Sequence, residues 1–346
     1  MHSYIRVQYA APVTGAIHDD GWADRTDRWA GVRSEWADVH GVRAHFLRVD
    51  PDPGAPRDAP TQLLVHSFGA GAWSWLDVML PLAAYGPVIA VDLPGSGETR
   101  PPTRRAARAE TCARFLDDFS AELRLEHVVV HGHSSGGLVS IQFADLAPER
   151  IEGLVLVDPA LPGDPDPPLK MVAWLTIGRV VLFAAPPLGR VLVRASVWLK
   201  AAPWQRSRDI GADPRLVDGF RRAGTDPSRI SPELVTVITE QGNQVRWPRW
   251  RLDGLVTGLA SAVAAMTVRQ RETREAINRI AAPTLLLWGD QDRIIPRILI
   301  DQLIARRPDW AFHIFESVGH LLPWEAPAAY VEVVGRWLSD RRGFHR

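Results

Sequence analysis

What the sequence has little of narrows its role first. One cysteine, Cys112, makes an intrachain disulfide impossible. It stands in ETCARFLDDF, a helical pattern, where a thiol serves as a small packing group. Net charge is zero, with 40 Lys and Arg against 40 Asp and Glu. The sequence shows no long acidic or basic tail, no zinc-ligand spacing and no basic module, so nothing points to nucleic acid. It also lacks a long uninterrupted apolar run. Arg179, Arg190, Arg194 and the pair Pro186-Pro187 break the apolar stretch Leu169 to Leu199, which argues against a membrane span. The first residues lack the basic start and apolar core of a signal peptide. These absences favour a cytoplasmic enzyme, and 346 residues suffice for a large core with an inserted layer.

What is present is organised around LEHVVVHGHSSGGLVSIQF, residues 125–143. Val128 to Val130 read as the end of a buried strand, and Leu138, Ile141 and Phe143 belong to a helix. Between them Gly132-His133-Ser134-Ser135-Gly136 spells G-x-S-x-G, a sharp strand-to-helix turn that lifts one hydroxyl clear of the sheet. Ser134 is the candidate nucleophile. Short motifs recur by accident, so its partners elsewhere carry weight.

Other short apolar runs have the same form. Gln62 to Val65, Val88 to Val91, Leu154 to Val157, Pro283 to Trp288 and Trp310 to Phe315 read as strands alternating with helical segments. That alternation predicts an α/β fold with a mainly parallel sheet covered on both sides. Functional groups in such sheets collect past the carboxyl ends of the strands. His66, Asp92, Ser134, Asp158, Asp292 and His320 all fall just past such ends. The order serine, aspartate, histidine suits a triad in which a neutral histidine takes the serine proton and a carboxylate holds its tautomer. His320 is the expected general base. Three aspartates compete to orient it: Asp290 and Asp292 after one strand, and Asp158 after another. Asp92 reads as an organiser of its loop, and Asp158, followed by Pro159, as a pin at the cap entry.

Taken together, VHSFGAGAWSW, VDLPGSGET, GHSSGG, LLLWGDQDRIIP and SVGH resemble the α/β-hydrolase superfamily, specifically its cap-bearing serine members. The resemblance implies a core over residues 36–161 and 276–346, a helical cap over 162–275 and an N-terminal arm over 1–35. The arm would lie over the core or over a neighbour in a homo-oligomer. Family members with a G-x-x-D loop before the histidine use that aspartate, so the resemblance selects Asp292, leaving Asp290 to cap the loop. It implies oxyanion donors at the backbone N–H groups of Phe68 and Ser135. The family usually has glycine after the loop histidine. Here Ser67 stands there, narrowing the loop or adding a hydroxyl beside the oxyanion site. Relatives with an aspartate nucleophile cleave epoxides or haloalkanes, and a serine argues against that chemistry.

The expected reaction is hydrolysis of a carboxylic ester through an acyl-enzyme, with no metal or organic cofactor. The substrate is expected to be a small ester or related acyl compound with a mainly apolar part. The cap suggests this through Trp174, Phe183, Trp198, Trp204, Trp247 and Trp250, among fourteen tryptophans in all. With Ser67, the first five are candidate substrate contacts, though large aromatics also pack cap to core. The triad equally serves carbon–carbon bond, thioester or lactone hydrolysis, acyl transfer or cyclisation. A binding protein that kept the fold without turnover is the reading from a different class.

Overall fold

In the computed structural model, the structure describes residues 22–163, 214–242 and 247–343. Eight strands form one sheet: β1 Arg33–Val39, β2 Val42–Val49, β3 Thr61–Val65, β4 Val88–Val91, β5 Val128–His133, β6 Ile151–Val157, β7 Thr284–Gly289 and β8 Ala311–Phe315. Their spatial order is β1-β2-β4-β3-β5-β6-β7-β8. Only β2 runs antiparallel to its neighbours; every pairing from β4 to β8 is parallel. This is the sheet of the expected α/β-hydrolase fold.

Strand alternation divides the core into two layers. Leu63, Val65, Val128 and Val130 point to one face and join the helices Ala109–Glu122 and Ser135–Leu146. Leu64, Val129, Val155 and Leu287 point to the other and join the helices Leu76–Leu82 and Pro327–Gly343. Both faces of β3 to β6 are therefore apolar, as in a sheet covered on both sides. Cys112 is buried in the first layer, and burial raises its thiol pKa, as befits a packing group.

At the chain start, Trp22, Trp29 and Trp36 fall in three different elements. Trp22 lies in a one-turn helix, Trp29 in a 3-10 turn and Trp36 in β1. Trp22 and Trp29 are buried in the second core layer, with Trp29 Nε1 donating to Asp77 at 2.9 Å. The described part of the expected arm thus packs into the second core layer, and the sheet begins at Arg33. Thr26 in extended conformation and Gly31 at φ +100° interrupt any helix.

Between β6 and β7 lie the cap helices Pro214–Arg222, Pro232–Gly242, Arg249–Met266 and Gln270–Arg279. The last two bend by 80°. Among the described residues no single helix is long and apolar enough to cross a membrane.

One polar chain crosses the second layer. His131 Nε2 lies 2.9 Å from Gln62 Oε1, a pure acceptor, so this nitrogen carries the hydrogen. His131 Nδ1, at 2.5 Å from the Tyr330 hydroxyl, then accepts. Burial pushes His131 down to about 3, and burial together with the nearby His320 does the same to His133. Both stay neutral in the fold at pH values where an unfolded histidine, near 6.5, gains a proton. Their contribution to stability is full above about 6.5 and is lost as pH falls toward about 3. Each should cost about 1.4 kcal/mol per pH unit within that window. Urea unfolding at pH 7, 6, 5 and 4 should show this loss, and His131→Gln should flatten the slope. A wild-type urea midpoint that does not move between pH 6 and 4 would contradict the assignment.

Candidate active site

The strand-to-helix turn after β5 forces Ser134 to φ 53° and ψ −119°, a costly conformation for a residue with a side chain. Close packing holds it there. A Cβ on Gly132 would meet Ser140 Oγ at 2.4 Å, and one on Gly136 would meet the Val65 carbonyl at 2.4 Å. The Ser134 N–H donates to Val157 O, and Ser134 O accepts from Gly137 and Ala160. The motif glycines are thus required by backbone approach, and the hydroxyl projects past the carboxyl ends of β5 and β6.

His320 Nε2 lies 3.0 Å from Ser134 Oγ, and His320 Nδ1 lies 2.8 Å from Asp292 Oδ2. Three loops far apart in sequence therefore meet at one point. Asp292 and His320 are both buried, and Asp292 Oδ1 also accepts from the N–H groups of Ile294 and Ile295 at 2.7 and 2.9 Å. The carboxylate that faces the histidine is thus also what caps its own loop. That corrects the expected capping role of Asp290, which is exposed and uses its backbone N–H on Phe315. The acid and histidine loops are tied to each other through Gln291 N–H to Val318 O at 2.9 Å.

Asp158 is fully buried beside this pair. Its Oδ1 accepts from Gly289 N–H at 3.0 Å, and its Oδ2 has no hydrogen-bond partner among the described residues. Burial, then the Asp292 charge, raises the Asp158 carboxyl well above its ordinary range. Its N–H donates to Leu287 O, joining β6 to β7, so it pins the sheet where the chain leaves for the cap. His133, Asp158 and His320 each place a possible metal-ligand atom within 4.8 Å of the others. Both His320 nitrogens are already engaged, and His133 Nε2 donates to the His320 carbonyl at 2.8 Å. This cluster is a hydrogen-bonded support for the histidine rather than an open ligand set.

Asp92 organises its loop as expected, accepting from Ala72 N–H at 2.6 Å, Glu98 N–H at 2.8 Å and His45 Nδ1 at 2.7 Å. His66 supports the same loop, its Nε2 accepting from Leu93 N–H. Beside it the oxyanion loop departs from the simple expectation. Phe68 N–H donates to Ser135 Oγ at 2.8 Å. The Ser135 N–H heads a helix, where first-turn N–H groups have no intrahelical acceptor. Ser67 is half-buried, and its carbonyl accepts from His66 Nδ1.

Of the aromatic residues expected to contact substrate, Trp174, Phe183, Trp198 and Trp204 lie outside the described residues. Trp247 borders a narrow cleft with Gly69, Ala70, Trp73, Gly97 and Arg251, at the mouth of the oxyanion loop. Arg251 donates to Gly97 O and to Glu98 Oε1 and lies over the Trp247 and Trp250 rings. Its guanidinium is committed to holding the cap helix on this loop.

Glu325 was not legible as a site residue. Its side chain is 1% exposed, and it accepts from Gly319 N–H at 3.2 Å, Asp226 N–H at 3.3 Å and Arg229 Nη1 at 3.3 Å. It therefore joins the histidine loop to the cap segment Ala223 to Arg229. The only signal in the sequence was an acid placed inside LLPWEAP, just after the histidine.

Comparison with known proteins identifies the family. A 2-hydroxy-6-oxononadienedioate/2-hydroxy-6-oxononatrienedioate hydrolase of Cupriavidus pinatubonensis is 28% identical over 293 residues, covering 84% of this chain and 89% of that one. Naproxen esterase from Bacillus subtilis superposes with a TM-score of 0.61 at 18% identity, over 91% of this chain and 95% of its own. The 2-hydroxy-6-oxo-6-phenylhexa-2,4-dienoate hydrolase of a Rhodococcus species gives 0.62 at 19%, over 88% and 97%. These two likenesses concern the fold. Residues 62–333 match the model of the alpha/beta hydrolase family, and with that span the chain belongs to this family.

Proposed function

We propose that this hydrolase cleaves a carboxylic ester with a mainly apolar acyl or alcohol part through an acyl-enzyme on Ser134. The observation that carries the reading is the hydrogen-bonded series Ser134, His320 and Asp292, with contacts of 3.0 and 2.8 Å. Ser134 Oγ attacks the carbonyl carbon while His320 Nε2 takes its proton. The carbonyl electron pair moves onto oxygen, held by N–H donors at the head of the nucleophile helix. Collapse expels the alcohol, which leaves with the proton from His320. Water then repeats the sequence on the acyl-enzyme, with His320 again as base.

Beside the Gly69 to Gly71 loop, Trp73 and Trp247 offer apolar surface and the Arg251 guanidinium is already engaged by Gly97 and Glu98, which supports an uncharged, mainly apolar substrate part. A second reading, hydrolysis of a carbon–carbon bond in a vinylogous diketone, draws on the 28% identical relative named as a 2-hydroxy-6-oxononadienedioate/2-hydroxy-6-oxononatrienedioate hydrolase. One experiment tests both. A fluorophosphonate should label Ser134, and kcat/KM should be compared across esters of lengthening acyl chain, thioesters and vinylogous diketones. The proposal expects a labelled Ser134 and a rise in kcat/KM with each added methylene on the esters. Turnover of the diketones with inert esters would favour the second reading. A folded protein whose Ser134 never labels would sink both.

A further inference from the structure

The residue after Ser134 carries a hydroxyl whose proton meets no acceptor among the described residues. Ser135 is buried, and its Oγ accepts from Phe68 N–H at 2.8 Å. A serine hydroxyl has one donor and two acceptor positions. Accepting from Phe68 turns a lone pair toward the oxyanion loop and leaves the O–H to point elsewhere. Among the described residues this O–H has no acceptor within hydrogen-bonding reach. By contrast, the buried Ser120 and Ser140 hydroxyls each donate to a carbonyl one helical turn earlier, Leu116 O and Gly136 O. Ser135 heads its helix, with no preceding turn to receive its proton. The loop that carries Phe68 is itself fixed, because the Phe68 ring packs directly on Gly258 of the cap helix Arg249–Met266. Phe68 N–H is therefore held against Ser135 Oγ rather than free to swing to a ligand.

We propose that the Ser135 hydroxyl is a catalytic oxyanion donor, backed by Phe68 N–H and acting beside the Ser135 N–H. This rests on Ser134 as nucleophile and changes one expected part of the oxyanion hole. Phe68 acts through the hydroxyl instead of touching the substrate oxygen. Its N–H polarises the Ser135 O–H, and hydrogen bonds in such a chain strengthen one another. No atom of Ser135 changes bonding partners. The new bond joins Ser134 Oγ to the carbonyl carbon, the Ser134 proton goes to His320 Nε2, and the displaced carbonyl pair settles on the oxygen that Ser135 holds. The Ser135 proton stays on Ser135 throughout. The alternative is that the hydroxyl merely occupies the Phe68 N–H until a substrate displaces it, and the two accounts predict opposite effects of removing it.

The experiment compares wild type with Ser135→Ala, Ser135→Thr and Ser135→Cys. It measures kcat and KM on an apolar p-nitrophenyl ester and the affinity for a trifluoromethyl ketone, which adds to the serine as a tetrahedral oxyanion. Loss of one oxyanion donor costs about a hundredfold in kcat. Ser135→Ala should lose about that much in kcat with KM little changed, and should lose affinity for the ketone by the same factor. Ser135→Thr should recover most of both, and Ser135→Cys, a weak donor, should not. Should Ser135→Ala fail to fold, the Thr and Cys variants decide, and equal kcat in those two overturns the inference. Unchanged or faster turnover by Ser135→Ala overturns it too. Fluorophosphonate labelling of wild type separates this from the parent reading. An unlabelled Ser134 removes both, whereas a labelled Ser134 with unaffected Ser135 variants removes only the role of the hydroxyl.

Discussion

Asp292→Asn should lower kcat by about three to four powers of ten, while Asp158→Asn and Asp290→Asn should each cost less than about tenfold. The sequence offers all three acids, and the geometry separates them. Asp292 Oδ2 reaches His320 Nδ1 at 2.8 Å, and its other oxygen takes two backbone N–H donors. Two carboxyls in one buried place resist ionising together. Asp158 has a single N–H donor, and burial beside Asp292 raises its carboxyl well above the ordinary range. A carboxyl that resists ionising is a poorer partner for an imidazolium than Asp292, which holds His320 Nδ1. Asparagine at position 292 keeps the size, yet its amide can donate to Nδ1 and so favours the wrong tautomer, with the proton on the nitrogen that must accept from Ser134. All three variants need to be folded by circular dichroism and thermal melt before kcat is compared. Abolished turnover in Asp158→Asn together with near-normal turnover in Asp292→Asn would reassign the acid and leave Ser134 and His320 in place.

Much of this site was legible because its parts are local. The elbow declares itself in five residues, since no other residue than glycine fits against Val65 O and Ser140 Oγ. The strands β3 to β7 declare themselves as short apolar runs because both of their faces are buried. Where one face is wet, the signal fades. β1 reads RSEWADV and alternates between exposed and half-buried positions, so that its first three residues fell within the expected arm. Trp36 lies on that strand under the Arg43 guanidinium. Contacts across the fold left almost no local trace. Ser135 reads as the variable residue of a motif until Phe68 is placed 2.8 Å from it by a loop 67 residues away. Nor does anything in the sequence say that Asp158 and Asp292 are neighbours, although the Asp292 charge helps to raise the Asp158 carboxyl.

Substituting Glu325 should damage both stability and turnover, because one buried carboxylate ties His320 to the cap. The cap segment contacts the Asp292 and His320 loops by backbone: Ala223 O accepts from Arg293 N–H at 3.4 Å and from His320 N–H at 3.3 Å. Leu321 N–H donates to Thr225 Oγ1 at 3.2 Å, and Arg229 reaches Ser317 O at 2.5 Å. Glu325 is the shared acceptor beneath them, taking Gly319 on the histidine side and Asp226 and Arg229 on the cap side. Burial raises its carboxyl above the ordinary range even though those donors oppose the shift. Removing it would strand the buried Gly319 N–H, at about 1–3 kcal/mol when left unpaired. Asp226 and Arg229 are exposed enough for water to compensate them, and the ion pair itself adds little. Glu325→Ala should therefore lose about 1–3 kcal/mol, a fall in Tm of roughly 2–8 °C for a chain of this size. Its kcat should drop about tenfold or more, since a small misplacement of a catalytic group is expensive. Glu325→Gln keeps an acceptor oxygen for one of the N–H groups and should recover part of both losses. Thermal melts and ester turnover on the two variants test the linkage. If Glu325→Ala lowered Tm while kcat at a permissive temperature stayed at the wild-type value, Glu325 would support the fold without positioning His320.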